Sequence, residues 1–177
     1  ASYHHGDSSL NDAISLMAQD FVGSNNYPIF NGKGGFGNRY GATPSAPRYV
    51  YVKLSDIFDD MFLKSDNPIL SESGSIEDPE PLFYVPIIPY VLLNGISGMA
   101  VGFSVDIPSY NPKDIIENIE NILDDNKTRT ELVPFYKGYL GRIEKEADNQ
   151  FVQYGVFKRL NTTTIEISEV PIGITTE

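Results

Sequence analysis

The sequence contains no cysteine and no tryptophan. The first absence removes disulfides, thiolate metal sites and cysteine nucleophiles, and it fits a reducing compartment. No apolar run approaches the ~20 residues that a membrane-spanning helix requires. No signal peptide is visible. Histidine occurs only as the adjacent pair His4-His5, so a tetrahedral site of nitrogen and sulfur ligands cannot be completed. Neighbouring residues on an extended segment also point to opposite sides, which disfavours chelation by His4, His5 and Asp7 together. Positive charge is scarce, with 13 basic residues against 24 acidic ones and a formal net charge of −11. A free-standing nucleic-acid binder is normally basic, because phosphate neutralisation dominates its affinity.

Acidic residues are themselves missing from one long stretch. Between Phe21 and Lys53 there is no Asp or Glu, whereas Lys33, Arg39, Arg48 and Lys53 all fall inside it. The acids gather instead at 56–60, 72–80, 114–125 and 144–148. This is the distribution expected of one anion-facing surface on a solubilising body.

What is present supports a packed fold, since 41% of residues are hydrophobic and Tyr and Phe number 11 and 10. Ala1 is not an initiator Met, and a helix is expected almost at once, over residues 4–22, as in a piece of a larger polypeptide. Asp7, Ser8 and Ser9 offer capping oxygens, and Leu10, Ile14, Met17, Ala18 and Phe21 recur at helical spacing. The segment NGKGGFGNRYG at 31–41 is too rich in glycine for a helix interior and lacks the Gly-Lys-Ser/Thr ending of a phosphate-cradling loop. A glycine-rich hairpin or wing is the economical reading, with Lys33 and Arg39 directed to an anion. Residues 48–54 suit a strand or a short helix, and 56–63 a short amphipathic helix.

Residues 64–81 are polar, acidic and rich in Pro, Gly and Ser, and mark a linker or exposed loop. The apolar run from Leu82 is punctuated by Pro86 and Pro89, which suits an edge strand or an irregular buried segment. Asn111-Pro112 opens a second helix, with Ile115, Ile116, Ile119, Ile122 and Leu123 as its expected buried face. Strands are expected at 139–144, 151–157 and 163–169 in an antiparallel sheet. The fold class is α+β.

Three features stand out: YHHGD at 3–7, the basic glycine-rich segment, and Pro47-Arg48-Tyr49. From the residues alone Tyr49 is either a strand aromatic beside a solvated Arg48 or a nucleophile served by it. The stretch from Ser2 to Tyr40, followed by APRYVYVKLS, resembles the cleavage core of type IIA DNA topoisomerases. FYVPIIPYVLLNGISGMAVGFSVDIPSYNP and IEISEVPIG are similar to later blocks of that family, in the same order. The double histidine and the Leu-Asn-Gly block lean towards the eukaryotic and T4-like phage branches, and a T4-like phage medium subunit is the favoured branch.

The resemblance implies a partial winged-helix domain at 1–63, the linker at 64–81 and a tower-like domain at 82–177. It implies that Tyr49 attacks a DNA backbone phosphate to leave a 5′-phosphotyrosine, and that Arg48 stabilises the charge formed. His5 and His4 would contact the scissile region or move a proton. Ser8, Ser9, Asn11 and Asp12 on the first helix, with Lys33 and Arg39 on the wing, would face duplex DNA. Met99 falls where the family places an apolar wedge between base pairs. Mg2+ and ATP would be bound by parts outside this chain, and the intact enzyme would be a homodimer working with ATPase and metal-binding domains. Its compartment would be the host cytoplasm for a phage enzyme and the nucleus for a eukaryotic one. Alternatives from other classes are a non-catalytic DNA-binding or scaffold module, and a metal-dependent hydrolase built on His4, His5 and Asp7.

Overall fold

The computed structural model describes residues 3, 5–70, 72–75, 78–124 and 128–175. Helix α1 spans Asp7–Ala18 and starts from an extended Gly6, without a side-chain cap. The expected capping residues Asp7, Ser8 and Ser9 therefore lie inside the first turn, where Asp7 suits the positive end of the helix dipole. The helix stops short of Phe21. Asn25 reaches back with its side-chain amide to the carbonyls of Leu16 and Gln19 at 2.7 and 2.9 Å, occupying acceptors that a longer helix would use.

Strand β1, Phe30–Lys33, pairs antiparallel with β2, Tyr51–Leu54. The 31–41 segment thus leads out of β1 into a long loop that returns through a one-turn 3-10 helix, Pro47–Tyr49. Ser55 ties the base of this ribbon, donating from its backbone to Ile29 O and from its hydroxyl to Pro28 O, both at 2.8 Å. Helix α2, Asp56–Met61, follows as expected.

The segment expected to be a linker holds regular structure: a 3-10 helix over Lys64–Ile69, then a ribbon of β3, Glu72–Ser75, and β4, Asp78–Pro81. Two prolines are tolerated in β4 because Pro79 and Pro81 are two residues apart, opposite Gly74 and Glu72. Both backbone nitrogens then face the same open edge, where no ladder donor is required.

The apolar run beyond it stays irregular until Pro89 and then forms the short helix α3, Tyr90–Asn94. Only Ile88 and Leu93 of that run are buried; Phe83, Tyr84 and Ile87 are exposed. A hairpin of β5, Ile96–Ala100, and β6, Phe103–Ile107, comes next. Helix α4 spans Pro112–Leu123, and the side chain of Asn111 accepts from Lys113 N at 3.0 Å, the cap read from the sequence. Its buried face differs from expectation: Ile115 is buried with Asn118 and Asn121, whereas Ile116, Ile122 and Leu123 are exposed. Asn118 can lie inside because the returning chain supplies its partners, Thr130 N at 2.7 Å and Thr130 O at 2.9 Å.

The last strands are β7, Arg142–Ala147, paired with β8, Gln150–Tyr154, and β9, Val156–Arg159, paired with β10, Ile165–Glu169. The run 151–157 breaks at Gly155, where a side chain would run into the carbonyl of Glu169. No common sheet forms among the described residues; the strands make five separate two-stranded ribbons.

The core is correspondingly small. Met61, Ile88, Leu93 and Ile115 form it, with Tyr27, Phe62, Tyr90, Leu92, Tyr110 and Ile119 packed around them. It joins residues from both sides of 64–81. Polar ties add to it. Asn26, 3% exposed, donates to Leu93 O at 3.2 Å and Phe135 O at 2.9 Å and accepts from Lys137 N at 2.7 Å. Beside it, Asn94 accepts from Tyr27 N at 2.8 Å and donates to Tyr27 O at 2.9 Å.

Candidate functional site

Tyr49 sits at the end of the 3-10 turn, held by its own N–H to Ala46 O at 2.9 Å. Pro47 at the start of the turn presets the backbone angle that the turn needs. Tyr49 is 66% exposed, so it is not a buried strand aromatic. The guanidinium carbon of Arg48 lies 4.8 Å from the centroid of its ring. An exposed tyrosine ring thus has a positive charge over it.

The glycine-rich loop is what allows the turn to stand there. Gly34 has φ +118°, and a Cβ on it would meet Val50 Cγ1 at 2.9 Å and Tyr49 O at 3.2 Å. The loop packs against the backbone that carries Tyr49 because it has no side chain at this point. Phe36 folds over Gly32 and is buried, Ser45 N donates to Gly35 O at 2.9 Å, and Gln19, just beyond α1, donates to Phe36 O at 2.9 Å. The wing is therefore an ordered body fastened to the end of α1.

The ribbon register places the cations. Lys33 is opposite Tyr51 and Asn31 is opposite Lys53. Residues two apart share a face, so Asn31, Lys33, Tyr51 and Lys53 project together. All four are exposed. The acid-free stretch already pointed to Lys53; that Tyr51 and Asn31 share its face with Lys33 comes from the pairing register, which composition does not carry.

Arg39 is a correction. Its guanidinium turns inward, at 2.5 Å from the carboxylate of Glu169 and 2.6 Å from Val170 O. Its side chain is only 20% exposed, so it fastens the wing to the end of β10 instead of facing outward.

On α1, Ser8, Ser9 and Asp12 are exposed and Asn11 is half-buried. His5 is exposed, and its ring makes an edge contact with Tyr3 at 5.5 Å. His4 lies outside the described residues. Met99 is near the tip of the β5–β6 hairpin and is 93% exposed, with Val101 at 98% and Phe103 at 81% beside it. A cluster of apolar side chains with so little protein contact is available to a partner. Among the described residues no group of three or more His, Cys, Asp or Glu side chains is placed to hold a metal ion. Nor is any helix of the described residues long and apolar enough to cross a membrane.

Comparison with known proteins gives a consistent result. The model of the A-subunit family of DNA gyrase/topoisomerase IV matches residues 1–177. The probable DNA topoisomerase 2 of Dictyostelium discoideum is 40% identical over 187 residues, covering 100% of this chain and 12% of that protein. DNA topoisomerase 2 of Plasmodium falciparum (isolate K1 / Thailand) is 41% identical over 177 residues, covering 97% of this chain and 12% of its own length. The solved DNA-binding, cleavage and re-ligation domain of Plasmodium falciparum topoisomerase II superposes with a TM-score of 0.91 at 40% identity, covering 97% of this chain and 24% of that one. The chain spans 12% of the length of these curated relatives. They are eukaryotic proteins, and the expected T4-like phage branch gains no support from them.

Proposed function

The chain belongs to the A-subunit family of DNA gyrase/topoisomerase IV, and on that premise we propose that it is part of the DNA breakage and rejoining machinery of an ATP-dependent type IIA topoisomerase. Tyr49 is the nucleophile. Its phenolic oxygen forms a bond to a backbone phosphorus, and the bond from that phosphorus to the 3′-oxygen of the preceding nucleotide breaks. The products are a 5′-phosphotyrosine and a free 3′-hydroxyl. The phenolic proton leaves to a base and the 3′-oxygen gains one, so the protons balance. One phosphodiester replaces another, and resealing by the 3′-hydroxyl needs no nucleotide.

A phenol is mostly protonated at neutral pH and needs help to react. Arg48 provides fixed donors for the charge on the pentacovalent transition state. His5, with His4, handles the proton or holds the scissile region. Lys33 grips the adjoining phosphates, with Lys53 on the same ribbon face, while Ser8, Ser9 and Asn11 on α1 face the duplex. Met99 enters the base stack and bends it.

The observation that carries this reading is the exposed Tyr49 with Arg48 over its ring, in the turn that leads into a cationic ribbon. The division into a winged-helix part at 1–63 and a tower part at 82–177 belongs to the same proposal. So do the homodimer with one tyrosine per strand, the Mg2+ and ATP held by other parts of the assembly, and the nuclear compartment of a eukaryotic enzyme. The 177-residue piece alone is expected not to relax DNA.

The test is to incubate the intact parent enzyme with end-labelled duplex and Mg2+ and to trap with denaturant. A protein–DNA adduct that disappears in Tyr49→Phe is the expected result. An enzyme that binds the duplex but never forms the adduct would instead be a non-catalytic DNA-binding module.

A further inference from the structure

Two hairpins that the proposed reaction uses for different purposes spring from a single polar clamp. One is the β1–β2 ribbon. Its base is Tyr27–Ile29, closed by Ser55, and its far end abuts Tyr49 through Gly34. The other is β5–β6, which begins immediately after Gly95, the residue next to Asn94, and carries Met99.

Asn94 joins them with its whole amide group. It accepts from Tyr27 N at 2.8 Å, donates to Tyr27 O at 2.9 Å, and donates to the Tyr90 hydroxyl at 2.5 Å. The pair of bonds to Tyr27 imitates one rung of a β-ladder, with a side chain in place of the second strand. Tyr90 in turn donates to Tyr27 O at 2.9 Å. Asn26, the neighbour of Tyr27, bonds Leu93 O, the neighbour of Asn94. There is little slack beyond the clamp: Gly95 has φ +72°, and a Cβ on it would stand 2.6 Å from Ile107 O, at the foot of β6.

From this we infer that Asn94 is a positioning residue, holding the Tyr49 ribbon and the Met99 hairpin at a set spacing so that cleavage depends on the bend imposed on the duplex. The inference rests on the reading of Tyr49 and Met99 given above. Bending a stiff duplex pushes back on both hairpins, and the clamp is where that load meets. A nucleophile displaced by even about 1 Å loses much of its rate, on the order of 100-fold. The bidentate contact to Tyr27 also accounts for asparagine at this position, since Asp keeps the acceptor and loses both donated bonds.

The experiment uses the intact enzyme and two duplexes of one cleavage sequence. One is fully paired; the other carries a mismatch at the step next to Met99, which makes it easy to bend. Wild type should form adducts on both. Asn94→Ala should lose roughly 10- to 100-fold on the paired duplex and recover most of it on the flexible one. Asn94→Asp should fall between. A purely structural defect lowers both substrates equally, so equal loss overturns the inference, as does no loss on either. Where Asn94→Ala fails to fold, Tyr90→Phe, which removes the two clamp contacts of the Tyr90 hydroxyl, should shift the ratio of the two duplexes in the same direction; an unchanged ratio overturns it. Wild type without adducts on either duplex sinks the Tyr49 reading and this inference together, whereas wild-type adducts with an unchanged ratio in the variants sink the clamp alone.

Discussion

Arg39 and Glu169 meet across the fold, with the guanidinium 2.5 Å from a carboxylate whose side chain is 4% exposed. The same carboxylate accepts from Leu140 N at 3.0 Å and Val170 N at 3.1 Å. Three separated parts of the chain therefore converge on one buried charge. Arg39→Ala leaves that charge without its counter-ion and should lower stability by about 3 kcal/mol. Lys33→Ala, on the exposed ribbon face, should change stability by less than about 0.5 kcal/mol. Duplex binding should reverse the order: Lys33→Ala reduces the salt dependence by about one phosphate contact and Arg39→Ala leaves the slope unchanged. Chemical denaturation and a salt titration of DNA affinity on each variant check both halves.

Gly34→Ala should be damaging although the position is on the surface. Its φ of +118° strains any side chain, and the new methyl group would press on Val50 and on the carbonyl of Tyr49. A loss of roughly 1–3 kcal/mol is expected. Adduct formation should fall further than the loss of folded enzyme explains, which single-turnover cleavage at a temperature below the melting transition would reveal.

Alkaline pH should destabilise the fold through Tyr90. Burial raises this phenol to about 12, against hydrogen bonding with Asn94, which lowers it. An unfolded tyrosine ionises near ~10, so above that pH the unfolded chain releases a proton that the folded one retains. The contribution of Tyr90 is complete below pH ~10 and lost as pH rises towards its folded value. Tyr90→Phe should cost about 1 kcal/mol at neutral pH for the lost hydrogen bonds. It should also reduce the alkaline slope of stability, read from denaturant midpoints at several pH values; an unaltered slope would assign that titration to other tyrosines. Tyr110, Tyr136 and Tyr139, also raised by burial, account for the slope that remains.

Met99→Ala should leave the melting temperature unchanged, because the side chain is 93% exposed. It should reduce the bend of a bound duplex, measured by energy transfer between dyes at its ends, and Met99→Asp should reduce it more. An unchanged bend in both would make Met99 a passive surface residue.

The sequence was most legible where local chemistry decides structure. Asn111-Pro112 reads as a helix start, and it is one. The segment 163–169 reads as a strand and contains β10, and Pro47-Arg48-Tyr49 points to the exposed tyrosine. It was least legible where distant residues decide. Nothing near Arg39 announces Glu169, and charge alone placed Arg39 on the anion-facing side. The inward Asn118 depends on Thr130, which helical periodicity cannot supply. Proline and acid content hid the β3–β4 ribbon, because two prolines on one edge look like a linker until the register is known.

Among the described residues the strands are joined only as neighbour pairs, which also makes for uneven melting. Four of the five ribbons close over a short span of chain and can form early and quickly, whereas β1–β2 closes over a long loop. The arrangement of the hairpins relative to one another depends on a few long-range ties such as Asn26, Asn94 and Glu169 and on a core of modest size. On warming, the mutual orientation of the ribbons should therefore be lost before the ribbons themselves, leaving a chain that keeps its far-ultraviolet signal after its parts have come adrift.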